Sequence, residues 1–263
     1  MKIKVGTKII QKRMNSKKIE VISLSLLFSF IILIMVSYTS LAVDPQGPDS
    51  AVNIKNETKT APSAYMLNTS GGYISTVNFS VTTQNPRWKA YIGNITGKLT
   101  LDDASGSTIY DWTFTTLTGE VYATRNSSTI YWSNIKCANT TILENENILL
   151  NHTHMDDNLT ATFDDTTHVS FYVGSYYIDN STAVCPTLNT YVNNATQDTY
   201  FEEVVLFDGI NETTGGSIIY ATIIEDSVTG YNSKQYDFQM IVPDDGLGES
   251  GKSIAYYFYI DIT

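Results

Sequence analysis

The chain is poor in the residues that carry most catalytic chemistry. Its 263 residues include only two cysteines, three histidines and six prolines, and neither a G-x-S-x-G nor an H-E-x-x-H pattern occurs. Two cysteines leave no spare thiol for a nucleophile once a disulfide has formed. We therefore predict no catalytic residues and no enzyme. A secreted hydrolase built on a pair of carboxylates is the less favoured alternative.

Positive charge is also scarce beyond the N-terminus. Residues 1–20 hold seven of the 16 Lys and Arg residues but one of the 27 acidic residues, so residues 43–263 hold nine basic and 26 acidic residues. Such an excess of negative charge disfavours binding to nucleic acid or to anionic lipid head groups. We expect no nucleic-acid partner.

The N-terminus has the composition of an export signal. A basic stretch precedes an uncharged run, and small residues follow at Ser40 and Ala42, which predicts a signal peptide over residues 1–42 with cleavage after Ala42. The uncharged run 21–43 is also long enough to be an uncleaved anchor helix. In that alternative the chain contacts the membrane through this segment alone. Both interpretations place the remainder outside the cell or on its surface.

The two cysteines, Cys137 and Cys185, predict one disulfide, because an even pair in an exported chain is rarely a metal site. Two free buried thiols are the alternative. The long loop that the disulfide closes would stabilise the fold by about 4 kcal/mol in the chain-entropy model.

Short period-two segments dominate the rest of the chain. Residues 43–64 are polar and hold three of the six prolines, which indicates a linker or arm. Residues 65–263 then predict one all-β domain, a β-sandwich of immunoglobulin-like or jelly-roll-like type. A hairpin turn is expected at 102–106. Residues 141–150 can form either a helix or a short strand. The candidate strands are 73–83, 88–92, 98–101, 108–116, 120–124, 129–135, 159–163, 168–173, 201–207, 217–224, 235–242 and 253–262.

Aromatic residues mostly occupy the apolar positions of these alternating segments, so we expect them in the core. Tyr110, Trp112 and Phe114 are one such set. The run YYFY at 256–259 has aromatics at consecutive positions. Such a strand is either buried on both faces or covered by a neighbouring subunit.

Asn-x-Ser/Thr sequons are the most frequent motif. Random placement of the 19 asparagines after residue 42 would give about four or five sequons, and the chain has eleven. The excess predicts a heavily N-glycosylated exterior. Accidental sequons in an Asn- and Thr-rich chain are the alternative. The acceptors are Asn56, Asn68, Asn78, Asn94, Asn126, Asn139, Asn151, Asn158, Asn180, Asn194 and Asn211.

Three further patterns are better explained as loops. Residues 246–253 match G-x-x-x-x-G-K-S, but a strand is predicted after them where a phosphate-binding loop needs a helix. His152 and His154 resemble the start of a metal cluster, yet a sequon overlaps them. Asp pairs at 102–103, 156–157, 164–165 and 244–245 lack the spacing of a calcium loop, so we predict no cofactor and leave Ca²⁺ binding open.

Several short segments resemble the secreted, glycosylated, β-rich surface proteins of uncultivated, small-genome archaea. They are 88–101, 107–112, 119–125, 236–243 and 255–261. The resemblance implies an exported glycoprotein and assigns no functional residues.

Together these features predict a structural or adhesive protein of a surface layer, filament or attachment structure. Its expected partners are its own copies or other envelope proteins. It could assemble if the arm 43–64 of one subunit adds as a strand to a neighbour's open sheet edge. The alternative is a module that binds carbohydrate or a host surface.

Overall fold

The computed structural model describes residues 43–189, 191–192, 195–196, 200–210, 217–246 and 254–262. The predicted leader 1–42, which includes nearly all of the alternative anchor, lies outside the described residues. So do the sequons Asn194 and Asn211 and most of the 246–253 motif. Within the described part, no helix has the length and apolar character needed to cross a bilayer.

The fold is mostly β, with 31% of the chain in strands and 9% in helices, which confirms the predicted class. A short 3₁₀ helix, Trp132–Asn134, and two α-helices, α1 (Thr140–Leu149) and α2 (Leu159–Thr162), interrupt the strands. The strands are β1 (Trp88–Gly93), β2 (Lys98–Asp102), β3 (Thr108–Thr113), β4 (Gly119–Thr124), β5 (Lys136–Cys137), β6 (Phe171–Val173), β7 (Tyr176–Ile178), β8 (Thr187–Leu188), β9 (Tyr191–Val192), β10 (Ala195–Thr196), β11 (Glu203–Phe207), β12 (Ile218–Ile223), β13 (Val228–Thr229), β14 (Gln235–Tyr236), β15 (Phe238–Pro243) and β16 (Tyr257–Ile262).

A six-stranded antiparallel sheet forms the centre of the fold. Its order is β16-β4-β12-β11-β5, and β8 also pairs with β11. Every residue of β4 and β11 is buried. Val205 and Tyr220 belong to the core cluster on one face, while Leu206 and Ile219 belong to the cluster on the other. Burial on both faces explains why these strands are almost continuously apolar.

Different elements cover the two faces. On one face the antiparallel pair β1–β15 packs together with α1 and α2, through Met240, Val242, Leu143 and Leu159. On the other face lie the β6–β7 hairpin and the 3₁₀ helix, and Trp132 places its ring 5.2 Å from both Tyr122 and Tyr259.

The predicted disulfide joins Cys137 to Cys185 and is confirmed. Cys137 ends β5, and Cys185 lies two residues before β8. Because β5 and β8 both pair with β11, the disulfide ties together the two short strands that close this edge of the sheet.

Residues 141–150 form a helix, and the strand predicted at 159–163 is wrong. Each helix is preceded by an asparagine whose side-chain oxygen accepts the backbone N–H three residues further along, at 3.0 Å for Asn139 and 2.8 Å for Asn158. Buried Asn147 of α1 then accepts the N–H of Leu159 at 2.8 Å. This bond between neighbouring helices is non-local, so apolar patterning could not reveal it.

Two other strand predictions are wrong. Residues 129–135 contain the 3₁₀ helix, which buries Trp132 and Ile135 against the central sheet. Residues 73–83 are exposed and belong to no strand. An alternating pattern suits a strand, but a strand also needs a hydrogen-bonded neighbour.

Candidate interaction surfaces

Strands β2 and β3 form a two-stranded sheet of their own. The predicted turn at 102–106 is confirmed: the Asp103 carboxylate accepts backbone N–H groups of Ser105 and Ser107, both at 2.8 Å, and Gly106 has a φ of +80°. All eleven residues of the two strands are exposed.

One face of the β2–β3 hairpin is entirely apolar. The register pairs Leu99 with Trp112 and Leu101 with Tyr110. These four side chains are 50–59% exposed, and the rings of Tyr110 and Trp112 lie 4.8 Å apart. We call these four residues the hairpin face. A two-stranded sheet with one bare apolar face is marginally stable in water.

The opposite side of the hairpin is polar. It carries Thr100 and Thr113, together with an ion pair in which Lys98 Nζ lies 2.6 Å from Asp111 Oδ2. The hydrogen bond to Asp111 raises the pKa of Lys98. The hairpin face is therefore the apolar surface of the paired residues, while Ile109, which the register leaves unpaired, is 80% exposed.

The prediction that the aromatic side of β3 is buried is wrong for Tyr110 and Trp112. Phe114, beyond the end of the strand, is half-buried against the core. The other two tryptophans follow the prediction more closely, since Trp132 is buried and Trp88 packs at the core margin.

A second exposed apolar feature is the loop formed by residues 59–84, called the exposed loop below. Near its base, Thr58 Oγ1 donates to Gln84 Oε1 at 2.7 Å and Lys59 Nζ donates to the Thr82 carbonyl at 3.4 Å. The loop turns back at Gly71–Gly72, where Tyr73 donates its N–H to the Ser70 carbonyl. Apolar side chains are exposed both before and after this turn, namely Tyr65, Met66, Leu67, Tyr73, Ile74, Val77, Phe79 and Val81.

The third feature is the outer edge of β16, at the end of the central sheet opposite the disulfide. The strand is covered on both faces within the chain, because Phe258 packs against Tyr91 and Tyr259 against Trp132. At the edge, Ile260 exchanges two backbone hydrogen bonds with Gln46 of the arm, at 2.8 and 3.1 Å. The start of the arm therefore lies on its own sheet edge.

Nine of the eleven sequon asparagines lie in the described part, and none is buried. Asn56, Asn68, Asn78, Asn94, Asn139, Asn151 and Asn180 are exposed, and Asn126 and Asn158 are half-buried. Asn78 is exposed, and so are its apolar neighbours Val77, Phe79 and Val81.

Three sequon side chains have a structural role. The side-chain oxygens of Asn139 and Asn158 cap their helices by accepting the backbone N–H of Ile142 and of Ala161. Both polar atoms of the Asn126 side chain form hydrogen bonds, because its Oδ1 accepts the N–H of Ser128 and its Nδ2 donates to Ser217 Oγ. Among the described sequons, Asn126 is thus the least suited to glycosylation.

The histidines are not brought together. His152 is buried, with Nε2 2.7 Å from the Asp244 carbonyl, whereas His154 is exposed beside Asp157. His168 lies near the disulfide, and its two ring nitrogens face the carbonyls of Val169 and Ala183. In the described part, the one group of three potential metal ligands is Cys137, His168 and Cys185, and the disulfide uses both sulfurs.

The acidic pairs mostly stabilise local structure. The Ser105 hydroxyl and then the backbone N–H groups of Ser107 and Ser105 donate to Asp103 and lower the pKa of its carboxyl. Asp165 accepts backbone N–H groups in its own turn, and these bonds lower the pKa of that carboxyl. Asp244 forms an ion pair with Lys89, with Nζ 2.6 Å from Oδ2. Two shallow depressions of about 340 and 420 Å³ are each lined by one carboxylate, Asp179 and Asp208 respectively. Neither presents the facing pair that a glycosidase needs.

Sequence patterns gave no sign of a buried carboxyl pair next to the arm. Glu120 and Asp261 are cross-strand neighbours of β4 and β16, and both are buried. Burial, and then the nearby Asp261, raise the pKa of Glu120 to about 8. Burial and Asp44 of the arm raise the pKa of Asp261, although it accepts the N–H of Gly174 at 3.0 Å. Only the register of two distant strands brings these acids together.

Comparison of the chain with protein-family models, curated proteins and solved structures finds no significant match.

Proposed function

We propose that this chain is an exported, N-glycosylated structural or adhesive protein of a surface layer, filament or attachment structure, and that it works by self-association. The observation that supports this proposal most is the exposure of apolar β-type surfaces, the hairpin face and the exposed loop, on a domain whose centre is well packed. Monomeric proteins rarely leave such surfaces uncovered.

Three other features agree with this proposal. The disulfide suits an oxidising compartment. The exposed sequons are accessible to a glycosylation enzyme. The short segments that resemble archaeal surface proteins have the same implication. We further propose that the fold is a β-sandwich in which the β1–β15 pair forms a reduced second layer over the central sheet.

A carbohydrate- or host-surface-binding module is the second candidate. The observation in its favour is the pair of exposed rings, Tyr110 and Trp112, on the hairpin face. Aromatic faces bind apolar sugar surfaces and also dominate protein interfaces. The two functions differ in what covers this face: a soluble ligand for the module, and another protein subunit for the structural protein.

The test is intact mass combined with size-exclusion light scattering on protein purified from its native source. The proposal expects a mass increased by glycans and large assemblies. An unglycosylated monomer would contradict it. A glycosylated monomer that binds sugars on a glycan array would favour the binding module.

A paired substitution on the β2–β3 hairpin locates the contact. Leu101→Ser with Trp112→Ser should reduce the assemblies, because it removes half of the hairpin face. The control is Thr100→Ala with Thr113→Ala on the polar side of the same strands, which should leave assembly unchanged.

A further inference from the structure

Residues 73–83 have the composition of a strand that lacks a partner. The segment contains no charged residue and no proline, and Val77, Phe79 and Val81 alternate with Thr76, Asn78, Ser80 and Thr82. All of these side chains are exposed, with Phe79 at 73% and Val81 at 79%. The arm 43–64 is a poorer strand former, because it holds three prolines and five charged residues.

The outer edge of β16 is a strand edge that lacks a full partner. In an antiparallel ladder, alternate residues direct their backbone N–H and C=O groups to the same side. The backbone groups of Phe258 and Ile262 therefore point away from β4, as those of Ile260 do. The only bridge from the described residues to this side is Gln46, opposite Ile260. The opposite edge of the sheet is closed by β5 and β8.

We propose that residues 73–83 of one copy add as a β-strand to the outer edge of β16 in a second copy and displace Gln46 there. This inference rests on the proposed self-association and assigns its contact. The arm contributes two backbone hydrogen bonds to the edge. A full strand would make about six, one for each N–H and C=O of the three outward-facing residues.

The placement of sequons agrees with this contact. Because side chains alternate across a strand, Asn78 projects away from Val77, Phe79 and Val81, and its glycan would remain in solvent while the apolar side is covered. The chain carries no sequon after Asn211, so β12, β15 and β16 bear no glycan that would block the edge.

The contact joins two different surfaces, so it propagates. Each subunit offers one donor segment and one acceptor edge, so donation in one direction from copy to copy gives a head-to-tail series. Strand addition of this type takes its affinity from the backbone and its register from alternate side chains. The hairpin face remains available for lateral contacts between such series.

The test replaces the apolar side of the donor. Val77→Ser with Phe79→Ser should raise the protein concentration needed for assembly by about 100-fold, measured by light scattering. The monomer should keep its circular dichroism spectrum and melting temperature, because both side chains are exposed. The control is Thr76→Ala with Thr82→Ala, which leaves the Asn78 sequon intact and should assemble normally.

A binding experiment then identifies the acceptor. The Val77→Ser, Phe79→Ser protein retains its β16 edge, so a fluorescent peptide of residues 73–83 should bind it, and hydrogen exchange should show new protection at residues 257–262. The same peptide with serine at positions 77 and 79 should not bind. Normal assembly of the substituted protein, or protection elsewhere, would overturn this inference and leave self-association standing. A wild-type protein that stays monomeric at all concentrations would instead overturn the proposed function.

Discussion

Strands β3 and β4 are consecutive, six residues long and similar in composition, yet every residue of β3 is exposed and every residue of β4 is buried. The difference lies in their neighbours. β4 pairs with β12 and β16 and has a core cluster on each face, whereas β3 pairs with β2 alone. An alternating pattern in the sequence therefore identifies the apolar face of a strand, but it does not show which residues, if any, pack against that face.

The same contrast separates the two edges of the central sheet. One edge is closed by two short strands that the disulfide holds, and the other ends in a six-residue strand with a single bridge to the arm. An edge strand such as β16, with few hydrogen-bonded neighbours on its outer side, is a template for pairing with another chain. We infer that stability is concentrated in the central sheet and assembly in the exposed segments.

Removal of the disulfide should have the largest effect on the central sheet. The 48-residue separation of Cys137 and Cys185 predicts a loss of about 4 kcal/mol in unfolding free energy for the double alanine variant. Denaturant titration of wild-type and variant protein measures it. A loss below about 1 kcal/mol would show that the closed edge does not depend on the disulfide.

A matched pair of leucines tests the contrast directly. Leu206→Ala in β11 should cost about 3 kcal/mol, because the side chain is fully buried between sheet and covering layer. Leu101→Ala on the hairpin face should cost about 0.5 kcal/mol or less in the monomer and should act on assembly instead. Equal losses of monomer stability would disprove the proposed division between the two regions.

The pH dependence of stability should reveal the buried carboxyl beside the open edge. The pKa of Glu120 is about 8 in the folded chain, above its ordinary value of 4.5. The folded state therefore binds the Glu120 proton more tightly than the unfolded state does. The stability from this group is fully present below about pH 4.5 and is lost as the pH rises through 8, with a slope of at most ~1.4 kcal/mol per pH unit.

Glu120→Gln is the control for this titration. The amide cannot ionise, so the unfolding free energy of the variant should depend less on pH between 5 and 8. Identical profiles for the two proteins would show that Glu120 does not titrate in this range.

The smallest expected effect concerns the helix caps. Asn158→Ala should lower the unfolding free energy by about 1 kcal/mol, because the backbone N–H of Ala161 loses its hydrogen-bond acceptor. Asn180→Ala, at an exposed sequon, is the comparison and should stay within about 0.5 kcal/mol. Both are measured on protein made without glycans, so that the difference reports the cap alone.

Most strands and the turn at 102–106 could be predicted, because period-two patterns and Asp-Gly turn chemistry are local properties. The errors at 129–135 and 159–163 arose where a few apolar residues suited two conformations and distant contacts selected one. Trp132 packs between two tyrosines, and Leu159 bonds to Asn147 of the preceding helix. Neither contact is visible in a local pattern.

The amino-acid sequence alone determined the mostly β class, the pairing of Cys137 with Cys185 and the accessibility of the sequons in the described part, because composition, cysteine number and polarity constrain these properties without reference to packing. Only the tertiary structure decided that the hairpin face is exposed, that Glu120 lies beside Asp261, and that Gln46 occupies its own sheet edge. These features depend on which strands become neighbours, and that is set by the packing of residues far apart in the chain.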